Sequence, residues 1–128
     1  MDKLINKYDC NILHEVIHTW DKNKLNMDNL NEICFNESEI ILNFNIGIKN
    51  IYFKKTYLNK KGYFTEKDIF EIIFTYYNGN ISENEYTKLI NYIDNTIETK
   101  KDLLIATGNI FFDGFDYRND MFYTKVGK

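Results

Sequence analysis

The spacing of apolar residues changes from helical to extended and back along this chain, and that alternation limits the fold more than any other feature. Over residues 3–22, Leu4, Ile5, Tyr8, Ile12, Leu13, Val16, Ile17 and Trp20 recur every three or four positions, which predicts an amphipathic helix. Residues 23–38, rich in Asn and Glu, read as a loop. From Glu39 the period becomes two: Ile40, Leu42, Phe44 and Ile46 alternate with Ile41, Asn43 and Asn45, as a half-buried strand requires. Gly47 supplies a turn or bulge into a second strand over roughly residues 49–57.

Two helices follow, each with its own start signal. Thr65 precedes Glu66, Lys67 and Asp68, which places acid in a first turn where it opposes the helix dipole. Ser82-Glu83-Asn84-Glu85 is a capping box, opening a helix expected over residues 83–98. Asn78-Gly79-Asn80 breaks the chain between them. Leu103 to Ile105 fit either a helix end or a strand start. Residues 110–117 and 121–126 flank Arg118-Asn119-Asp120 as a closing hairpin. The expected architecture is one α+β domain spanning residues 1–128, in the order α-β-β-α-α-β-β. Its small antiparallel or mixed sheet would carry about three packing helices.

Composition says how such a chain fills its interior. Ten Tyr, ten Phe and one Trp stand against a single Ala, so aromatic rings must do most of the packing, and 128 residues suffice for one core. The abundance of Asn, Ile and Lys, with one Arg and no Pro, reflects an AT-rich genome: a bacterium, phage, large virus or parasite. A net charge of −3 disfavours a general binder of nucleic acid or anionic membrane. Cys10 and Cys34 are too few for a disulfide framework and fit a reducing compartment. No apolar run approaches the roughly 20 residues of a membrane span, and MDKLINKYDCNILHEV lacks the apolar centre of a signal peptide. A cytoplasmic protein is the expectation.

His14-Glu15-Val16-Ile17-His18 matches H-E-x-x-H and resembles the zincin metalloproteases at those five positions. Two His at i and i+4 share a helix face and can grip Zn²⁺, while the intervening Glu activates the bound water. No third ligand follows at a recognised spacing, so the expectation is no metal or other cofactor and no catalysis, with His14, His18 and Glu15 as the metal-dependent alternative. Lys49, Lys54, Lys55, Lys60 and Lys61 lie among Tyr52, Phe53, Tyr57 and Tyr63, a mixture suited to single-stranded nucleic acid. A solvated basic edge that discourages strand-to-strand association explains the same residues.

Asp113, Asp116 and Asp120 accompany Phe111, Phe112, Phe115, Tyr117, Phe122 and Tyr123 in the closing hairpin. One sheet face cannot bury all these rings, and the remainder beside carboxylates suit docking onto a basic, partly apolar protein surface. The segment from Asn109 to Asp116, with Tyr123 to Gly127, resembles the C-terminal hairpin of small bacterial immunity proteins that neutralise toxins. The resemblance implies a cytosolic protein that binds a nuclease-like toxin domain and blocks it. Asp113, Phe115, Asp116, Tyr117 and Asp120 are the expected partner-binding residues. The same chain is also compatible with a phage or viral inhibitor of a host-defence protein, and with a nucleic-acid-binding module.

Overall fold

The computed structural model describes residues 33–109 and 111–127. The helix expected over residues 3–22, with Cys10, His14, Glu15 and His18, lies outside the described residues. Within them the order is β1 (Ile33–Phe35), β2 (Glu39–Asn45), β3 (Tyr52–Leu58), β4 (Phe64–Thr65), α1 (Glu66–Asn78), α2 (Glu83–Leu89), α3 (Lys100–Ala106), β5 (Phe111–Arg118) and β6 (Met121–Gly127). The class is α+β, built on a four-stranded mixed sheet and three helices. Among the described residues no helix is long and apolar enough to cross a membrane.

The sheet order is β3-β2-β6-β5. Strand β2 sits inside it, antiparallel to β3 and parallel to β6, with Leu42 beside Phe122 and Asn43 beside Tyr123. The period-two pattern of β2 explains its place. Ile40, Leu42 and Phe44 are buried against the helices, while the intervening Asn43 is also buried and donates from its side-chain amide to the Phe122 carbonyl. Strands β5 and β6 form the closing hairpin, in which Asn119 (φ 53°) and Asp120 (φ 62°) occupy the left-handed region. Two such residues in succession make the turn whose twist matches paired strands. A separate pair, β1 with β4, sets Phe35 beside Phe64 at the entrance to α1.

Helix α1 begins where Thr65 and Asp68 cap each other, and α2 where Ser82 and Glu85 do the same. The helix expected to run to residue 98 stops at Leu89, and α3 starts at a third capping box, Thr99 with Asp102. Between them Asp94 accepts the backbone N–H of Thr96 at 2.8 Å, a local bond that competes with helical pairing. The chain then returns to α1, with the Ile81 N–H donating to Glu98 at 2.9 Å and the Lys100 N–H to Gly79 at 3.1 Å. Leu103 to Ile105, compatible with helix or strand by sequence, are helical.

One core joins the layers. Ile69, Ile73, Phe74 and Tyr77 of α1, with Leu89, Leu103 and Leu104, pack on Leu42, Phe44, Phe115 and Phe122 of the sheet. Burying rings of this size contributes roughly 2–3 kcal/mol each. The Tyr77 hydroxyl donates to the Asn45 carbonyl at 2.7 Å and lies 2.8 Å from Thr124 Oγ1, which binds α1 to two neighbouring strands.

Gly47 closes the end of β2 against the loop after α3. Its φ of +86° is left-handed, and a Cβ there would lie 2.5 Å from Thr107 Oγ1 and 2.7 Å from Asn109 Nδ2. Gly47→Ala is therefore expected to destabilise the fold by about 2 kcal/mol, from backbone strain plus displacement of that loop. Urea unfolding measures the loss, and a change below about 0.5 kcal/mol, the range of neutral surface changes, would contradict this account.

Candidate functional site

Strand alternation divides the residues of the closing hairpin between two faces. Phe115 and Tyr117 point toward the helices, and Asp116 points to the opposite face, where it is exposed. Phe115 is 1% exposed, in edge-on contact with Phe35 and Phe122. The expectation that Phe115 contacts a partner is therefore corrected: this ring is core. Asp116 sits 4.0 Å from Lys125 Nζ, beside Arg118, whose guanidinium lies 4.1 Å from the centre of the Tyr123 ring. The Asp113 side chain lies outside the described residues. The five expected contact residues thus do not share one surface.

Two of them meet acids from elsewhere in the chain. Because β2 runs beside β6, Glu37 and Glu39 arrive next to Tyr117 and Asp120, around a cleft of about 420 Å³ with Ile40, Ile41 and Phe122 as its apolar part. The Tyr117 hydroxyl donates to Asp120 Oδ1 at 3.2 Å. Its pKa is raised by desolvation, by that bond, and by the charges of Asp120 and Glu37. The cleft is therefore an acidic rim over an apolar floor. Among the described residues no group of three or more His, Cys, Asp or Glu is placed to hold a metal ion.

A second depression, about 570 Å³, lies between β3 and α1, with Lys55, Tyr57, Asp68, Ile72, Tyr76 and Lys100 among its walls. At its inner end Tyr76 stacks on Phe44 with ring centres 3.7 Å apart. The Tyr76 hydroxyl donates to Glu85 Oε2 at 2.6 Å, and Lys100 Nζ lies 3.1 Å from Glu85 Oε1. Lys100 also donates to the Asn80 carbonyl at 2.7 Å and rests 4.5 Å from the centre of the Tyr76 ring. Glu85 and Lys100 are both buried, so neither charge can be retained alone. In the sequence Glu85 is marked only as half of a capping box; its second role with Lys100 depends on the turn at residues 90–98 and carries no local signal.

The lysines considered for nucleic acid are dispersed among these structures. Lys55 reaches over the Tyr76 ring, and Lys61 pairs with Asp68 at 3.0 Å. Tyr57, half-buried at the groove, has its hydroxyl pushed up to about 12 by burial. Comparison with known proteins gave no family model, no curated protein and no solved structure that matches the chain.

Burial alone would raise the Glu85 carboxyl, but the Ser82 N–H, the Tyr76 hydroxyl and Lys100 outweigh it and hold the carboxyl below its ordinary 4.5. A carboxyl depressed in the folded state stabilises fully above its unfolded value, and that contribution is lost as pH falls below 4.5. Lys100→Met is expected to cost about 3 kcal/mol at neutral pH by leaving a buried carboxylate unpaired, and to flatten the loss of stability on acidification. Urea midpoints at neutral and acidic pH test both parts; a cost under about 1 kcal/mol, or an unchanged acid dependence, would contradict the assignment.

Proposed function

We propose that this protein acts by stoichiometric binding to another protein, as a cytoplasmic inhibitor whose leading case is an immunity protein that blocks a nuclease-like toxin domain. The observation that carries the reading is the cleft in which Glu37, Glu39, Tyr117 and Asp120 surround an apolar floor. Carboxylates around apolar surface complement a basic, partly apolar partner, and nucleases present such surfaces because they bind a polyanion. The net charge of −3 favours steered approach to that kind of partner. The resemblance of the closing hairpin to immunity proteins supports the same class of partner.

The proposed contact surface is this cleft rather than the five hairpin residues expected from the sequence. Tyr117 and Asp120 belong to both, Glu37 and Glu39 join them, and Phe115 supports them from the core. Inhibition requires only that the bound protein cover the partner's active site, so no reacting group is assigned on this chain.

The experiment pairs the protein with a nuclease-like toxin domain found encoded next to its gene, and a neighbourhood without one would count against the toxin reading. Co-expression should restore growth, and the purified proteins should form a one-to-one complex whose association slows as salt rises. Glu37→Lys combined with Asp120→Lys should reduce the association rate about tenfold or more while leaving the fold intact. A complex indifferent to both reversals and to salt would remove the cleft from the interface. No complex and no rescue with that domain would overturn the toxin reading.

A further inference from the structure

Strand β3 ends the sheet on one side, and the phase of its ladder fixes which of its backbone groups face outward. The Asn59 N–H donates to the Ser38 carbonyl at 2.7 Å, which marks residues 59 and 38 as a hydrogen-bonded pair. Antiparallel pairs alternate, so Tyr57 with Ile40, Lys55 with Leu42, and Phe53 with Phe44 are bonded in the same way. At the other end Asn45 turns its N–H toward β6, donating to Thr124 Oγ1 at 2.8 Å, which agrees with this phase. Tyr52, Lys54, Thr56 and Leu58 therefore direct their N–H and C=O groups away from the sheet. Among the described residues no strand pairs with that side of β3.

The side chains flanking this edge are arranged in two different rows. Lys55 and Tyr57 overhang the 570 Å³ groove against α1, which Ile72 and Phe64 make partly apolar. Lys54 and Thr56 are exposed on the face opposite the helices, while Leu58, 75% exposed at the end of the strand, also borders the groove. An edge whose outward backbone groups meet no described strand, beside a groove, is a template for an extended chain, and its lysines, which discourage a like-charged strand, favour an acidic one.

We infer that the outer edge of β3 takes an extended segment of a partner protein as a fifth strand, with apolar side chains set in the groove and acidic ones facing Lys54. This surface is separate from the acidic cleft and does not rest on the function proposed there. A second copy is a poor occupant, because β3 against β3 would bring Lys54 and Lys55 of one protomer against those of the other. Nucleic acid fits poorly too. Donors and acceptors alternate along the edge, as in a peptide backbone, whereas a phosphate chain only accepts.

The test uses a synthetic peptide of alternating valine and glutamate, about eight residues long, with NMR-detected amide exchange on the full chain. Saturation should slow exchange at Tyr52, Lys54, Thr56 and Leu58, while Phe53, Lys55 and Tyr57, already bonded to β2, keep their rates. Thr56→Pro removes an outward N–H without touching the bonds to β2 and should weaken binding about tenfold or more. Lys54→Glu should weaken it by a similar factor, and this variant carries the test if the proline variant does not fold. The inference is overturned if a valine–lysine peptide binds equally well. It is also overturned if the peptide protects other amides, if the same amides become protected by self-association without peptide, or if a single-stranded oligonucleotide displaces the peptide from them.

Discussion

Tyr76 lying flat on Phe44 is the contact on which the rest of the structure depends. Phe44 belongs to the inner strand β2, and Tyr76 to the last turn of α1, so the stack joins the two layers where the helix ends. The same Tyr76 carries a hydroxyl bonded to Glu85, and Glu85 holds Lys100. One ring thus ties the sheet to α1, to the start of α2 and to the start of α3. With ring centres 3.7 Å apart and nearly parallel, the pair is close to face-to-face, the less favoured ring geometry, so its contribution comes mainly from the area it buries. The larger effect is positional: a buried ion pair tolerates little displacement of either partner, so it fixes how three short helices sit on the sheet.

That arrangement leaves the two proposed contact surfaces at the ends and edges of the sheet. At one end the parallel pairing of β2 and β6 gathers acids from residues 37–39 and from the hairpin turn over an apolar floor. At the opposite edge β3 keeps its outward backbone groups beside a groove whose inner wall is Tyr76 itself. The two surfaces differ in charge and in the kind of contact they offer. The cleft provides fixed carboxylates for a basic surface, and the edge provides a strand template flanked by lysines. Both draw their rigidity from the same packed centre.

Local signals in the sequence are legible wherever one segment determines its own structure. The helix start at Thr65, the capping box at Ser82, the period-two run of β2 and the polar turn at Asn119-Asp120 all match the structure, because each depends on residues within a few positions. The early end of α2 is not legible, because Ile90, Ile93 and Ile97 continue a helical spacing while the Asp94 turn and the Thr99 cap override it. Strands β1 and β4 are too short to show a period. The acidic cleft is only half legible. Alternation along β5 separates Phe115 and Tyr117 from Asp116, but the approach of Glu37 and Glu39 follows from a parallel pairing between residues about eighty positions apart. The burial of Phe115 has the same origin, since Phe35 and Phe122 enclose it from distant segments.

The central claim is that the Tyr76 hydroxyl, Glu85 and Lys100 act as one unit beneath Phe44. A double-mutant cycle measures that directly, using Tyr76→Phe and Glu85→Met separately and together, with stability read by urea unfolding. The account predicts a coupling energy of about 1 kcal/mol or more, because either change alone removes the bond that the other would remove. Additive losses, with coupling below about 0.3 kcal/mol, would mean that the hydroxyl and the carboxylate act independently, and the layers would then be joined by ring packing alone.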